Sequence, residues 1–501
     1  MLKQKFIIDF GSKFGSYLIT AITGIVVARL AGPEVVGTIT YATSYVITFS
    51  FITGLFGSAH IKLVSEGQNE ENCNKTYLIL MIISAATFFI TVLVFFFIQK
   101  YLFNYKYDFP ETETVILITL FAFIVSMLFQ INETFYNAKI KQAKSNLPAF
   151  IKNIIYNILR VIVVVMGMKA VALASVNLIT AVITVPVVIY FLKQLKYGKW
   201  DKLLFKKYIK ISIPIFSIVV TGVIMSYADK LILEYFSSVK EVGYYSAAYS
   251  IGGMLILLGN TAGTVFFPLF STYISQNNFE AIKYKIKTFE RFIFVYTLPL
   301  IMILSLYAHP VMIFLLGVKY EPSVPLFSVL VLSSFFIIWG MPYGNVLSGL
   351  GLFWLASFIN FAKFILFVIA MTIFISPSML NLGAMALAMT ALVTNIFMFL
   401  LFYYYSYKKT GIHLLKEQVR YITFWSVLSP IIYFVYTKYY HSLPIVIQLT
   451  AVIPITLVII YFLYYLFGLI KKQDIDILKQ IMSLNSASSY IRDEIKDNSH
   501  N

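Results

Sequence analysis

Residues 29–65 read RLAGPEVVGTITYATSYVITFSFITGLFGSAHIKLVS, and this stretch decides the fold. An apolar helix ends at Arg29–Leu30, a turn passes through Gly32 and Pro33, and a second long apolar helix is predicted to begin at Gly37. Gly permits the backbone angles of a sharp reversal, and Pro cannot continue a helix that it does not begin. The pattern therefore predicts a helical hairpin that crosses a membrane.

The whole chain has the composition of a membrane protein. Of its 501 residues, 59% are hydrophobic and only 12% are charged, whereas a soluble domain has about 25% charged residues. Apolar runs of about 20 residues, the length that crosses a bilayer, recur from end to end. We count fourteen candidate spans, at about 14–31, 38–61, 76–98, 114–136, 147–168, 170–192, 210–234, 243–267, 290–308, 325–347, 352–375, 382–405, 420–437 and 444–468.

The net charge of +17 is mainly a signal of topology. Lys and Arg gather in alternate loops, above all in 193–209, while the intervening loops carry few. Because positively charged loops stay in the cytoplasm, this asymmetry predicts that both termini are cytoplasmic. Nucleic acid is therefore not expected as a partner. The only cysteine, Cys73, excludes an internal disulfide and a multi-cysteine metal site.

A shift of 206 residues relates the two halves of the chain. It pairs Gly37 with Gly243 and Gly57 with Gly263, and it lays the first six spans on the next six in the same orientation. Transporters built from such repeats bind substrate between the repeats. We therefore predict an all-α integral membrane protein of about fourteen transmembrane helices, with two pseudo-symmetric six-helix lobes plus two C-terminal helices.

The sequence also predicts where this architecture divides. The expected parts are an interfacial segment 1–13, an N-lobe 14–192, a basic cytoplasmic linker 193–209, a C-lobe 210–405, two further spans in 406–470 and a cytoplasmic tail 471–501.

Two stretches, together with this plan, resemble a known family. They are VARLAGPEVVGTITYATS at 27–44 and SYADKLILEYFSSVKEVGYYSAAYSIGG at 226–253. Both are similar to motifs of the Wzx-type polysaccharide flippases, within the multidrug/oligosaccharidyl-lipid/polysaccharide exporter superfamily. One departure is Ala31, where the family usually has a bulkier apolar residue.

The resemblance implies a specific transport function. Such a flippase moves an undecaprenyl-diphosphate-linked oligosaccharide from the inner to the outer leaflet of the bacterial cytoplasmic membrane by alternating access, for O-antigen, capsule or exopolysaccharide biosynthesis. The expected partners are this lipid-linked substrate, membrane lipid, a glycan polymerase and a chain-length regulator. The protein itself is expected to be a monomer without a cofactor or a bound metal.

Several interior residues are candidates for substrate binding. In span 5, Asn153, Asn157 and Arg160 fall at i, i+4 and i+7 on one helix face, and Lys152 flanks that face. A charge at the bilayer centre costs about 2.5–3.5 kcal/mol on insertion scales, so these cations require a reason.

Span 11 adds Asn360 and Lys363, and the repeat shift places Lys363 on Asn157. One hypothesis is a water-filled cavity between the lobes, in which these cations bind the diphosphate of the substrate. The alternative is that Lys152 and Arg160 extend toward the membrane surfaces, or that Arg160 binds a backbone carbonyl.

Charges near the predicted outer ends of spans 1 and 7 have other interpretations. Arg29 is either a further substrate cation or a cation that faces lipid headgroups from a helix C-terminus. Lys230 and Glu234 stand at i, i+4 and are expected to form a local ion pair. Asp229 is the acid that we consider for proton or sodium coupling, or for a salt bridge in an outer gate.

Two other functions are alternatives to the flippase. A cation-coupled exporter of drugs or small solutes from the same superfamily would need acids deep in the first lobe, where this chain has cations and amides. A membrane polymerase or ligase would need catalytic residues on sizeable outer loops, but the first outer loop is only about Gly32 to Val36. The chain also lacks G-x-x-x-x-G-K-[ST] and H-E-x-x-H motifs, so no enzyme activity is expected.

Overall fold

A computed structural model describes residues 2–139, 141–411, 416–471 and 474. Helices account for most of these residues, and no strand occurs among them. The α-helices are α1 Leu2–Ala31, α2 Pro33–Ile47, α3 Phe51–Gly54, α4 Gly57–Ser65, α5 Glu70–Phe97, α6 Thr112–Ala138, α7 Gln142–Val165, α8 Ala170–Leu192, α9 Lys202–Phe236, α10 Val239–Gly252, α11 Ile256–Ser275, α12 Phe279–Phe292, α13 Leu298–Leu306, α14 Ala308–Leu316, α15 Ser323–Gly349, α16 Phe353–Ile375, α17 Ala384–Thr410, α18 Lys416–Val435, α19 Ile445–Ile447 and α20 Ile453–Leu466.

The predicted class of all-α membrane protein is confirmed. Ten helices in the described ranges are long and apolar enough to cross a bilayer, or eleven if a bent pair counts as one span. The fourteen-span count and the predicted division into lobes, linker and tail remain predictions. Of the predicted tail, Lys471 and Asp474 are described, and the remaining positions lie outside the described residues.

The helical hairpin quoted from the sequence forms, with two differences. Gly32 has a φ of 85°, which favours glycine, and Pro33 stands at the start of α2, where its missing N–H costs nothing. The second helix therefore begins at Pro33 rather than at Gly37. It is also not one straight span, because α2 is separated from α3–α4 by a break of a few residues and a bend of 49°.

Contacts between residues divide the chain into two compact units, Met1–Ser246 and Ala247–Asn501. In the first unit, α6 packs against α8 and α1 packs along α7. A cluster of buried side chains from α4, α5, α6, α8 and α9 forms its core. The core includes His60, whose Nδ1 lies 2.8 Å from the hydroxyl of Tyr208 and whose ring packs against Tyr77 and Phe135.

The two ends of the first unit differ in charge. At one end, Asn74 Nδ2 donates to the carbonyl of Lys196 and Lys207 Nζ donates to Gln68 Oε1. We call this end, formed by residues 66–75, 141–146 and 193–210, the lysine-rich end. The positive-inside rule predicts that it is cytoplasmic. Residues 98–113 and 234–243 lie at the opposite end, where Glu234 meets Tyr105.

At this opposite end, α2 crosses α10 at the two glycines that the repeat pairs. A Cβ on Gly37 would lie 1.9 Å from the carbonyl oxygen of Val239, and a Cβ on Gly243 would lie 1.9 Å from that of Pro33. The same 206-residue shift relates Pro33 to Val239. Equivalent positions of the repeat therefore touch each other, and only glycine permits so close an approach of two backbones.

In the second unit, α15 is the central helix and packs against α11, α13 and α17. The Trp339 ring stacks on Phe399 with their centroids 4.2 Å apart. Asp474 is attached to this unit by an ion pair. Its carboxylate is 2% exposed and binds Arg291 through both oxygens, with Arg291 Nη2 2.6 Å from Oδ2. Tyr296 donates to the Asp474 carbonyl and strengthens the same attachment.

Candidate functional site

A row of polar side chains follows the seam between α1 and α7 in the first unit. Asn153 Nδ2 donates to Thr20 Oγ1 at 3.1 Å, and Asn157 Nδ2 reaches the same oxygen at 3.3 Å. Thr23 donates to Asn157 Oδ1, and Asn157 is only 1% exposed. Asn153 and Asn157 therefore share one face of α7, as their spacing predicts, and that face contacts α1.

Arg160 continues this row toward the far end of α7. It lies about 27 Å along the helix from Gln142 at 1.5 Å per residue, and its guanidinium carbon lies 5.5 Å from the Tyr156 ring centroid. A Cβ on Gly24 of α1 would lie 3.7 Å from Arg160 Nη2. The missing side chain at Gly24 leaves space beside the guanidinium, which remains half-buried.

Lys152 faces a different helix. Its Nζ donates to Ser126 Oγ of α6 at 2.7 Å and lies 5.3 Å from the Phe129 ring centroid. Both partners are uncharged, and the ammonium is held inside the helical unit by a hydroxyl and an aromatic face. Lys152 therefore lies beside the row of Asn153 and Arg160 without forming part of it.

The second unit holds its own cation. Lys363 Nζ of α16 donates to Asn395 Oδ1 of α17 at 2.9 Å, and Asn395 Nδ2 donates to Ser333 Oγ of α15 at 2.8 Å. This chain of hydrogen bonds fixes the amide so that its oxygen faces the ammonium. As with Lys152, the observed partner is a neutral group.

A cavity of about 280 Å³ adjoins this chain, lined by Asn360, Asn395 and the glycine face of α15 at Gly340 and Gly344. The Asn345 amide nitrogen, also part of the lining, is buried without a hydrogen-bond partner in the described structure. Asn360 and Lys363 thus belong to one polar region of this unit, with Asn395 linking them.

The expected ion pair between Lys230 and Glu234 is wrong. Lys230 Nζ instead lies 2.9 Å from Asp229 Oδ1 and donates to the Ser226 carbonyl at 2.8 Å. Asp229 and Lys230 are 6% and 8% exposed, so the pair is buried. On a solvated helix surface, charged side chains at i and i+4 are favoured partners. Here Lys230 is buried and pairs with the buried neighbouring carboxylate of Asp229 instead.

Glu234 accepts a hydrogen bond from a tyrosine. Its Oε2 lies 2.7 Å from the Tyr105 hydroxyl, which belongs to the segment between α5 and α6. Burial, together with the neighbouring Glu234 carboxylate, raises the pKa of Tyr105 well above its usual value. The phenol therefore stays protonated and remains a donor to Glu234.

Arg29 lies in the last turn of α1, and its side chain is exposed. It is four residues before Pro33, and it is not among the side chains of the α1–α7 row. The structure thus gathers Asn153, Asn157 and Arg160 along one seam, and Asn360 with Lys363 beside one cavity.

Sequence reasoning missed a buried acid in the second unit. Glu290 is 3% exposed, and its Oε1 accepts hydrogen bonds from Trp339 Nε1 at 2.9 Å and from the Tyr343 hydroxyl. It lies close to a predicted span end, which made an interfacial position plausible. The signal available in the sequence was the pair of aromatic donors Trp339 and Tyr343, four residues apart in α15.

Within the described ranges, no group of three or more His, Cys, Asp or Glu side chains is close enough to hold a metal ion. The groups along the α1–α7 seam and beside Lys363 are amides, hydroxyls and single cations, which suit an anionic or hydroxyl-rich ligand.

Solved structures share this fold. The lipid II flippase MurJ in an inward closed conformation is 18% identical, with 93% of this chain and 100% of that chain covered and a TM-score of 0.67. An inward-facing multidrug resistance MATE family transporter of the MOP superfamily is 15% identical, with 79% and 94% covered and a TM-score of 0.62. A MOP superfamily transporter from Pyrococcus furiosus is 16% identical, with 82% and 94% covered and a TM-score of 0.50.

A family model provides the stronger finding at the level of sequence. No curated protein matches the chain. A model described as "Polysaccharide biosynthesis protein" matches residues 26–325, a region that includes both resembling stretches and all of α7. Because this match covers more than half of the chain, the chain belongs to the family of polysaccharide biosynthesis proteins.

Proposed function

We propose that the protein is a flippase that moves an undecaprenyl-diphosphate-linked oligosaccharide from the inner to the outer leaflet of the bacterial cytoplasmic membrane by alternating access. The match to a family of polysaccharide biosynthesis proteins supports a glycan substrate. The likeness in fold to a lipid II flippase supports a lipid-linked one. Its relatives by fold are transporters, so we assign the chain no catalytic role.

One observation carries the proposal. Lys152, Arg160 and Lys363 lie within apolar helices, and their observed partners are a serine, an aromatic ring and an amide. None of the ion pairs formed among the described residues includes them. Since an interior charge costs about 2.5–3.5 kcal/mol on insertion scales, three such cations need a compensating anion.

The diphosphate of the proposed substrate is such an anion. Arg160 offers a planar fork that matches two phosphate oxygens, while Lys152 and Lys363 offer point charges. The amides of Asn153 and Asn157 supply neutral donors in the first unit, and the amide of Asn360 supplies one in the second. We infer that these six residues bind the substrate, with Arg160 and Lys363 as its main electrostatic contacts.

The test is a double variant, Arg160→Ala with Lys363→Ala, expressed in the native host in place of the wild-type protein. We expect surface glycan to be lost and lipid-linked oligosaccharide to accumulate on the inner leaflet, as in a deletion strain. The matched control is Lys196→Ala, whose side chain is 84% exposed at the lysine-rich end. Normal export by a double variant that is present in the membrane at wild-type amounts would refute the assignment.

A second candidate is a cation-coupled exporter of drugs or small solutes. The chain shares its fold with a multidrug transporter. The carboxylates of Glu234 and Glu290 are buried and accept hydrogen bonds from neutral donors, an arrangement that would suit a coupling cation. A deletion strain distinguishes the two functions. Unchanged surface glycan together with new drug sensitivity would favour the exporter.

A further inference from the structure

The polar row between α1 and α7 ends in a cavity near the lysine-rich end. This cavity has a volume of about 350 Å³ and is lined by α1, α6 and α7. Ser12 of α1 and Asn146 of α7 close one side of it with a hydrogen bond of 3.1 Å, and Asn153 lines its other side. The volume is within the range of about 300–1,000 Å³ that is typical of small-ligand sites.

The lining combines two kinds of surface. Hydroxyls of Ser12 and Ser16, amides of Asn146 and Asn153, and the carboxylate of Glu133 provide both hydrogen-bond donors and acceptors. Tyr17 and Phe150 add aromatic faces to the same cavity, and Tyr17 is 61% exposed. A ligand that fits both surfaces has many hydroxyl groups around an apolar ring face, which is the chemistry of a sugar.

Charge distinguishes this cavity from a phosphate site. Its lining contains one cation, Lys13, and one anion, Glu133, so it has no net positive charge. Glu133 is half-buried and takes part in none of the ion pairs among the described residues. A free carboxylate can accept two adjacent hydroxyl donors but repels a phosphate.

The position along α7 matches the order of groups in a lipid-linked sugar. Asn153 in the cavity and Arg160 further along the row are about 10 Å apart at 1.5 Å per residue. In such a substrate the diphosphate separates the lipid from the first sugars. A diphosphate at Arg160 would therefore leave its sugars within reach of the cavity along the same seam.

We propose that this cavity between α1, α6 and α7 is a sugar subsite, which distinguishes glycosylated from unglycosylated lipid carrier. Tyr17 and Glu133 are its specificity-determining residues: the ring of Tyr17 packs on a sugar face, and the carboxylate of Glu133 accepts sugar hydroxyls. The inference rests on the proposed function, because it assumes a lipid-linked oligosaccharide as substrate.

The experiment compares two probes on the full-length protein in lipid nanodiscs. One is undecaprenyl diphosphate without sugar, and the other is the undecaprenyl-diphosphate-linked oligosaccharide extracted from membranes of a native host that lacks this protein. The wild type should bind the glycosylated probe more tightly. Tyr17→Leu combined with Glu133→Ala should weaken binding of the glycosylated probe about tenfold, which corresponds to roughly 1.4 kcal/mol. The affinity for the unglycosylated probe should not change.

Controls separate the possible failures. Tyr101→Leu, at a tyrosine of similar exposure outside the cavity, should leave both affinities unchanged. A double variant that retains the wild-type preference for the glycosylated probe would overturn the sugar subsite, and so would equal weakening of both probes. A wild type that binds neither probe would instead overturn the proposed function itself. The single variant Tyr17→Leu provides the same comparison if the double variant does not fold.

Discussion

Asp229 and Lys230 form a buried ion pair inside α9. Removing one partner of a buried pair leaves the other charge without compensation, and this typically costs about 3–5 kcal/mol. By contrast, the Lys240–Glu34 pair at the same end of the unit joins side chains that are about half exposed. Exposed pairs contribute about 0–1 kcal/mol.

We therefore predict that Asp229→Asn lowers the melting temperature of the purified protein strongly, whereas Glu34→Gln changes it little. Replacing both members of the buried pair, Asp229→Asn with Lys230→Met, should restore much of the loss because no unpaired charge remains. Thermal unfolding in detergent measures all three variants. Equal melting temperatures for Asp229→Asn and the wild type would contradict the importance of the pair.

The imidazole rings of His309 and His441 pack against each other. Their ring centroids lie 4.7 Å apart in the second unit, just beyond the ends of the neighbouring apolar helices. Burial, with the nearby His441, lowers the pKa of His309. The folded protein therefore binds a proton at this site less readily than the unfolded chain does.

This shift predicts a loss of stability in acid. The contribution of His309 is fully present above the unfolded imidazole pKa of about 6.5 and is lost as the pH falls toward the lower pKa of the folded state. Melting temperatures of the wild type and His309→Gln between pH 7.5 and pH 5 check this. The variant should lose less stability on acidification, and parallel curves would contradict the prediction.

At the scale of helices, the crossing of α2 and α10 depends on two glycines. Because a Cβ at Gly37 would overlap the Val239 carbonyl oxygen at 1.9 Å, a side chain there must separate the two backbones. Overpacking of this kind costs about 1–3 kcal/mol. The atom in the way belongs to the main chain, so rotation of a side chain cannot relieve the overlap.

We expect Gly37→Ala to destabilise the protein by about that amount. The matched control is Gly222→Ala in α9, where a Cβ would meet no atom within 4 Å. There the substitution should stabilise the helix by roughly 0.5–1 kcal/mol, because alanine restricts the unfolded chain. Denaturation curves for the two variants should shift in opposite directions, and a neutral Gly37→Ala would refute the close crossing.

The bend between α2 and α3–α4 is a second property of the helices. Residues 29–65 predict two apolar helices, but the 49° change of direction between α2 and α3–α4 follows from how these short helices pack on α6 and α9. Ser50 at the break, with Gly54 and Gly57 just after it, also weakens helix continuity there. The chain therefore crosses this region as a broken rather than a straight helix.

At the scale of the whole molecule, the lysine-rich end predicts the orientation in the membrane. A single cysteine at position 196 or at position 108, in a Cys73→Ser background, can be labelled with a membrane-impermeant maleimide. Asp108 is exposed at the opposite end of the first unit. We expect label at position 108 in intact cells, and label at position 196 only after permeabilisation. The reverse pattern would invert the assignment of both termini to the cytoplasm.

The sequence by itself determined the class and the family. Composition and apolar runs predicted an all-α membrane protein, and this class is confirmed. The stretches at 27–44 and 226–253 indicated a polysaccharide family, and the chain belongs to a family of polysaccharide biosynthesis proteins. The shared face of Asn153 and Asn157 was also predictable. These properties depend on local periodicity and on burial in lipid, which are written into neighbouring residues.

Only the tertiary structure decided which distant groups meet. It placed Thr20 of α1 against Asn153, gave Lys363 an amide partner in Asn395, and paired Lys230 with Asp229 instead of Glu234. It also brought the repeat glycines at 37 and 243 into contact with the backbone of the opposite helix. Such contacts join residues far apart in the chain or compete within one helix. The packing of whole helices settles them, because most buried polar groups find a partner in the space that packing leaves.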